Sequence, residues 1–217
     1  VQGWDPTYGR LTERGVRQAV LLGQAMVDTP LDAAWCSTLE RSVLTLSQIL
    51  VPRKGERTVP IVFSPELREI NMERLHGKSH TEQKAAMIGQ DPMRFPAGGG
   101  ESWLDVQARV TAYFERDVLR SPYQNILVVA HGGVNRGILA SLTGLTMADA
   151  WREAGTGMPQ ENTCVNTLDI DDQGRLVHAV VNETTHLAGE LEAAGRGQIW
   201  HAAERRWELL TSNGAGR

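Results

Sequence analysis

Three short apolar runs, LDAAWCS, VPIVFS and NILVVAH, alternate along this chain with segments of helical period, and that alternation restricts its fold more than any other feature. Each run is of strand length and is closed by polar, glycine or proline residues. The segments around them read differently. LTERGVRQAVLLGQAM repeats Val16, Ala19, Val20 and Gly23 at helical spacing behind Thr12, a good N-cap. TLERSVLTLSQIL places Leu39, Val43, Leu46 and Leu50 on one side. ESWLDVQARVTAYFERDVL turns Trp103, Val106, Val110, Tyr113 and Phe114 inward, and VNRGILASLTGL follows the third run as a helix. Strands alternating with helices imply βαβ units and a largely parallel sheet covered on both faces. CVNTLDID and RLVHAVVN, joined by Asp172, Gln173 and Gly174, read as a hairpin. The expected fold is therefore α/β: a three-layer αβα sandwich around a mixed, mostly parallel central sheet.

A length of 217 residues suits one domain with a small appendage. The division expected is a main domain over residues 1–188 and a helical extension over 189–217. In that extension GQIWHAAERRWELL would set Trp200, Ala203 and Trp207 on one helical face, docked on the domain's own surface. DPMRFPAGGGES, with its prolines and consecutive glycines, reads as an exposed, mobile excursion.

A formal net charge of -4 argues against a nucleic-acid partner, which needs a clustered basic excess. Cys36 and Cys164 have no metal-ligand spacing and read as reduced thiols. No apolar run is long enough to cross a bilayer. The opening segment VQGWDPTYGRL reads as a loop, without the apolar stretch of a secretory signal, so a cytoplasmic location is the expectation.

In such sheets ligands bind outside the carboxyl ends of the strands. Ser37 and His131 both stand at predicted strand ends and can meet in one crevice. After Ser37 a helix begins, with Arg41 in its early turns, where helix-start N–H groups favour an anion and a guanidinium can grip a phosphate. Spacing alone leaves a surface arginine paired with Glu40 as an equal reading. His131 is followed by Gly132 and Gly133, which let backbone amides approach a ligand, and that pair favours a functional imidazole over a structural one. Glu69, in LREINMERLHGKS, stands near a crevice rim where a carboxyl can protonate a leaving alkoxide. Its residue context by itself favours a solvated charge among Glu66, Arg68, Glu73 and Arg74. AGGGES lacks the lysine of a Walker motif and reads as a hinge before a helix, with Glu101 in the first turn. Asn135 and Arg136 either tune specificity or cap the helix, and capping is favoured. No metal site is expected at the remaining histidines, and no cofactor is expected.

Taken in order, these segments resemble the histidine phosphatase superfamily, the branch that includes cofactor-dependent phosphoglycerate mutase and related small phosphatases. QGW with LTERGVRQA is similar to the stretch after that family's first active-site motif. CSTLERSVLT resembles its pocket-arginine segment, LREINMERLHGKS its acid segment, GGGESWLDVQARV its GES helix, VVAHGGVNRG its second-histidine motif and NETTHL its closing motif. The resemblance implies a phosphoglycerate mutase-like fold and covalent catalysis through a phosphohistidine. It assigns Arg41 and His131 to the equatorial phosphoryl oxygens, Glu69 to acid and then base, and Gly132 to an N–H donor, with Gln2 and Gly3 near the substrate. No metal or other cofactor is implied. The partner implied is a small phosphorylated metabolite, with an oligomer compatible.

The family's nucleophile lies in an Arg-His-Gly motif on a strand shortly before QGW, and this sequence contains no such motif. Neither His76 nor His80 replaces it by position. The departure is expected to reflect N-terminal truncation, so that the intact protein is a phosphomonoester hydrolase and the chain as it stands is inactive. MER, where relatives often carry FG, puts the substrate rim in doubt. Phosphoglycerate mutase activity is the alternative, disfavoured by the short interval between Glu69 and the GES helix. A non-catalytic module that binds a phosphorylated ligand is a third reading.

Overall fold

A computed structural model describes residues 9–53, 58–91, 93–152, 157–190 and 197–210. Its main elements run α1 (Glu13–Ala25), β1 (Ala33–Ser37), α2 (Glu40–Leu50), β2 (Ile61–Ser64), α3 (His80–Ala86), α4 (Trp103–Tyr113), β3 (Ile126–Val129), α5 (Gly132–Thr143), α6 (Met147–Ala150), β4 (Val165–Ile170), β5 (Leu176–Glu183), β6 (Gln198–His201) and β7 (Arg206–Leu209). β1 lies between β2 and β3 and pairs in parallel with both, Cys36 standing level with Phe63 and Val129. All of β1 is buried, as a central parallel strand must be.

The side chains of β1 alternate between two helical layers. Ala34 and Cys36 pack with Leu22 of α1 and Leu46 and Ile49 of α2. Ala33 and Trp35 pack with Val106 and Val110 of α4 and Val134 and Ile138 of α5. Those two clusters are the outer layers of the expected αβα arrangement. α1 reaches α2 closely because residue 23 is glycine: a Cβ there would stand 2.0 Å from the Gln48 carbonyl oxygen. Thr12 caps α1 as expected, its hydroxyl accepting from the Gly15 N–H at 3.1 Å.

The strands divide between two sheets, β2-β1-β3 and the antiparallel β4-β5-β6-β7, so the antiparallel share exceeds the single hairpin expected. β3 is less covered than its apolar sequence suggests. Val129 is buried, but Ile126, Leu127 and Val128 are half-buried, because among the described residues β3 is paired along one edge only. Val165 of β4 joins the same apolar cluster as Leu127 and Val129, so the two sheets stand side by side there.

One expectation is corrected, and a second in part. The described part of the expected helical extension, residues 197–210, is not helical: β6 and β7 form a hairpin that extends the sheet from β5. Helix-forming Ala, Glu and Arg residues lie at its turn, which made the stretch read as a helix. Trp200 and Trp207 instead face one another across the two strands, ring centroids 4.9 Å apart, in a third core with Leu139, Ala179 and Val181, while Ala203 is exposed at the turn. Tertiary burial of the two indoles overrides local propensity. The glycine-rich excursion is exposed over much of its length, as expected, while its glycine end is tied to the loop that carries Glu69. The Gly98 carbonyl accepts from Arg74 Nε at 3.0 Å, the Glu101 N–H donates to the Asn71 carbonyl at 2.7 Å, and Gly98 takes a φ of 73° that glycine alone adopts readily.

Candidate active site

The carboxyl ends of β1 and β3 carry the site. Ser37 is the last residue of β1, and His131 follows β3 as the N-cap of α5. Its imidazole is 7% exposed, with Nε2 2.9 Å from Ser37 Oγ and 3.3 Å from Ser42 Oγ on α2. β1, α2 and β3 therefore meet at one ring nitrogen. Burial, and then the positive charges of Arg41 and Arg109, push the His131 pKa well below the usual histidine range, so the ring is neutral near pH 7. Arg41, in the first turn of α2, is itself half-buried. Burial lowers its pKa and the Glu69 carboxylate works in the opposite direction. That guanidinium is thus within electrostatic reach of both His131 and Glu69.

Glu69 is held by backbone amides. Its Oε2 accepts from the Gly133 N–H of α5 at 3.1 Å and its Oε1 from the Ile70 N–H at 3.0 Å. The contact requires glycine at 133: a Cβ there would fall 2.4 Å from Glu69 Oε1 and 2.2 Å from the Trp103 ring. The loop carrying Glu69 is clamped from α4. Arg109 donates to both oxygens of Glu101, at 2.7 and 3.0 Å, and to the Arg68 carbonyl at 3.2 Å. Glu101 Oε2 also accepts from the Asn71 N–H at 2.8 Å. Arg68, next to Glu69, donates from Nε to Thr38 Oγ1 at 2.6 Å. The acid-bearing loop is thereby tied to α4, α5 and the end of β1.

Arg41, Glu69, His131 and Gly132 come together at this point, whereas Gln2 and Gly3 lie outside the described residues. Gly132 is the first residue of α5, where an N–H has no intrahelical acceptor and is of the kind that suits an anion. Several contributors are not evident in the sequence. Ser37 meets His131 as their strand ends led one to expect, but nothing in CSTLERS announces that the Ser42 hydroxyl reaches the same imidazole. Glu101 precedes α4 instead of occupying its first turn; Ser102 is the N-cap and forms a capping box with Asp105, which frees Glu101 to clamp the loop. Arg136 does not cap α5. Its guanidinium lies over the Trp151 ring, 4.1 Å from the centroid, while Asn135 donates to Gln160 Oε1 at 3.0 Å.

The assembly offers a guanidinium, a helix start, a neutral imidazole and an amide-held carboxylate around one mouth, which suits a phosphoryl group. The thiols do not compete as nucleophiles, because burial pushes both Cys36 and Cys164 up to about 12 and keeps them protonated.

Comparison with known proteins agrees with that chemistry. The sequence profile of the histidine phosphatase superfamily (branch 1) matches residues 2–183. A 2,3-bisphosphoglycerate-dependent phosphoglycerate mutase of Bartonella henselae is 30% identical over 171 residues, covering 72% of this chain and 80% of the mutase. An adenosylcobalamin/alpha-ribazole phosphatase of Salmonella typhi is 30% identical over 166 residues, covering 74% of this chain and 78% of the phosphatase. Among solved structures, Bacillus stearothermophilus YhfR superposes with a TM-score of 0.66 at 28% identity, over 81% of this chain and 85% of its own. The chain belongs to branch 1 of the histidine phosphatase superfamily.

Proposed function

We propose that this chain carries the acid and the phosphate-binding half of a phosphomonoesterase centre that works through a phosphohistidine. The observation that carries the reading is the buried, neutral His131 imidazole at the end of β3, under the electrostatic influence of Arg41 and next to the start of α5. Its Nε2 is engaged by two serine hydroxyls, which fixes the ring plane and leaves Nδ1 to meet a phosphoryl oxygen.

In the proposed reaction an attacking imidazole forms an N–P bond as the ester P–O bond breaks. The leaving alkoxide takes a proton from the Glu69 carboxyl. Arg41, His131 and the Gly132 N–H carry the charge on the equatorial oxygens. Water then attacks phosphorus, gives a proton to the Glu69 carboxylate, and releases inorganic phosphate and the free imidazole. The attacking group is not in this sequence, which has no Arg-His-Gly. We assign it to a strand that would pair with the edge of β3 left unpaired among the described residues. Side-by-side β3 and β4, packed together through Leu127 and Val165 without a shared ladder among the described residues, support that placement. We also assign the protein to the cytoplasm, on its two free thiols and because no helix among the described residues is long and apolar enough to cross a membrane.

Hydrolysis is preferred over mutase chemistry because the interval from Glu69 to Glu101 is short, with Lys78, Lys84 and Arg94 as its only basic residues after the LHG segment. The test is a protein carrying the natural upstream sequence, assayed for phosphate release from a simple monoester and for bisphosphoglycerate-dependent mutation. Phosphate release that falls about a hundredfold or more in Arg41→Ala and in His131→Ala supports the reading. Near-normal rates in either variant, or an upstream coding sequence without a histidine motif, refute it.

A further inference from the structure

Arg136 stands in the second turn of α5, one turn after Gly132. Helical side chains lean toward the N-terminus, so residue 136 covers the turn that opens the helix. Gly132 leaves room for it: a Cβ at 132 would lie 3.2 Å from Arg136 Nη1. The guanidinium therefore sits immediately beside the residue that follows His131.

Trp151, at the end of α6, forms the other wall. Arg136 lies on its face, and the same indole contacts Trp103 with ring centroids 4.7 Å apart. Trp103 in turn borders Gly133 beside Glu69. The stack runs from the proposed acid to Arg136, so it fixes the guanidinium without neutralising it. Arg136 makes no ion pair among the described residues, and its Nε is buried with no hydrogen-bond partner. Burial lowers its pKa, while Glu69, Cys164 and Glu161 act on it only at a distance. Arg41 already serves the phosphoryl position. A second guanidinium, one helical turn away, is placed for a different part of the ligand.

We propose that Arg136 is a specificity-determining residue that grips a second anionic group, such as a carboxylate, a few bonds from the phosphate ester. A planar guanidinium presents parallel N–H donors to such a group, and stacking on an indole holds the fork in one orientation. Gln160, next to Gly132 and hydrogen-bonded to Asn135 and Asn166, gives that side of the mouth a polar wall.

The inference rests on the phosphate-site reading above, and equilibrium binding separates the two. Inorganic phosphate, ethyl phosphate and phosphoglycolate are titrated against the chain by calorimetry or by amide NMR. The last two ligands differ chiefly by a carboxylate in place of a methyl group. Phosphoglycolate is expected to bind about tenfold more tightly than ethyl phosphate, as for one charge-assisted contact. Arg136→Gln should bring the two affinities within about twofold, and Arg136→Lys should keep part of the preference. Trp151→Leu, which removes the platform and keeps the charge, should narrow the same ratio even if Arg136→Gln fails to fold. Phosphate binding with equal affinities for the two esters overturns the role of Arg136 alone. So does a preference that survives in Arg136→Gln, or, where that variant does not fold, in Trp151→Leu. Failure to bind inorganic phosphate overturns the site reading and this inference together.

Discussion

His131 has a protonation state set by its surroundings, and that gives it a stability signature. Burial and two arginines lower its folded-state pKa below the unfolded value of about 6.5. The unfolded chain therefore binds a proton before the folded one does. The sign follows: this group's contribution is fully present above about pH 6.5 and is lost as pH falls toward the depressed folded value. The urea midpoint should drop between pH 7.5 and pH 5, and the drop should be smaller in His131→Asn; equal slopes would mean that His131 is not the titrating group. Gly133→Ala tests a neighbouring constraint. Its methyl would overlap Glu69 Oε1 and Trp103, so a loss of about 1–3 kcal/mol is expected by chemical denaturation, with turnover in the extended protein falling as well. Part of this site was legible in the sequence: His131 at a strand end before two glycines, and Arg41 soon after another strand. The meeting of Ser37 with His131 was legible too, from their strand ends; Ser42 was not, and Arg136 read more readily as a cap, because their roles depend on which helices meet across the sheet, and no local spacing encodes that meeting.

Two elements show how the scaffold serves the site, and how far local sequence reports it. The first is the clamp from α4. Arg109 and Glu101 have side chains 16% and 19% exposed, and together they bind the backbone of the loop that presents Glu69. Glu101→Gln leaves a largely buried guanidinium short of its counter-charge. A loss of about 2 kcal/mol is expected, below the figure for a fully buried pair because both groups keep some water contact. Phosphate release should fall with it in the extended protein, since Arg109, which holds the Arg68 carbonyl of the loop, loses its bidentate partner; unchanged stability and rate would show that the clamp is dispensable. The second element is the β6–β7 hairpin. α4 and β1 were legible because their apolar period agrees with their burial; α1 and α2 were legible as helices, though Val16 is exposed and their buried faces run through Ala19, Leu22 and Gly23 and through Ser42, Leu46 and Ile49. β6 and β7 were not, since their buried residues among those described are Gln198, Trp200 and Trp207, one of them polar, and the residues between the tryptophans favour a helix. Trp207→Ala should cost about 3 kcal/mol and loosen β6 as well. Hydrogen exchange at Ile199 and Trp200 would read that loosening directly.

At the scale of the whole molecule, the two sheets abut without sharing a ladder among the described residues. β1 is closed on both edges by β2 and β3, whereas β3 shows half-buried apolar side chains and a row of backbone groups along its second edge. An edge of this kind, unpaired among the described residues and flanked by packed Leu127 and Val165, would be costly if left open, because peptide groups would lack partners and apolar surface would stay in contact with water. A strand added there would satisfy both and would end beside His131, since parallel strands in this sheet finish at the same mouth. On the proposed reading, such a strand would supply the nucleophile and added stability together. A protein extended upstream to include an Arg-His-Gly strand should melt about 5 °C or more above this chain. After an alkaline quench with labelled substrate it should also hold covalent phosphate on histidine, whereas this chain should hold none. The two gains should arrive together: replacing the added histidine by alanine should abolish the label and leave most of the rise in melting temperature. A rise without the label in the unsubstituted extended protein would assign the strand to structure alone, and no rise at all would remove the strand from that edge.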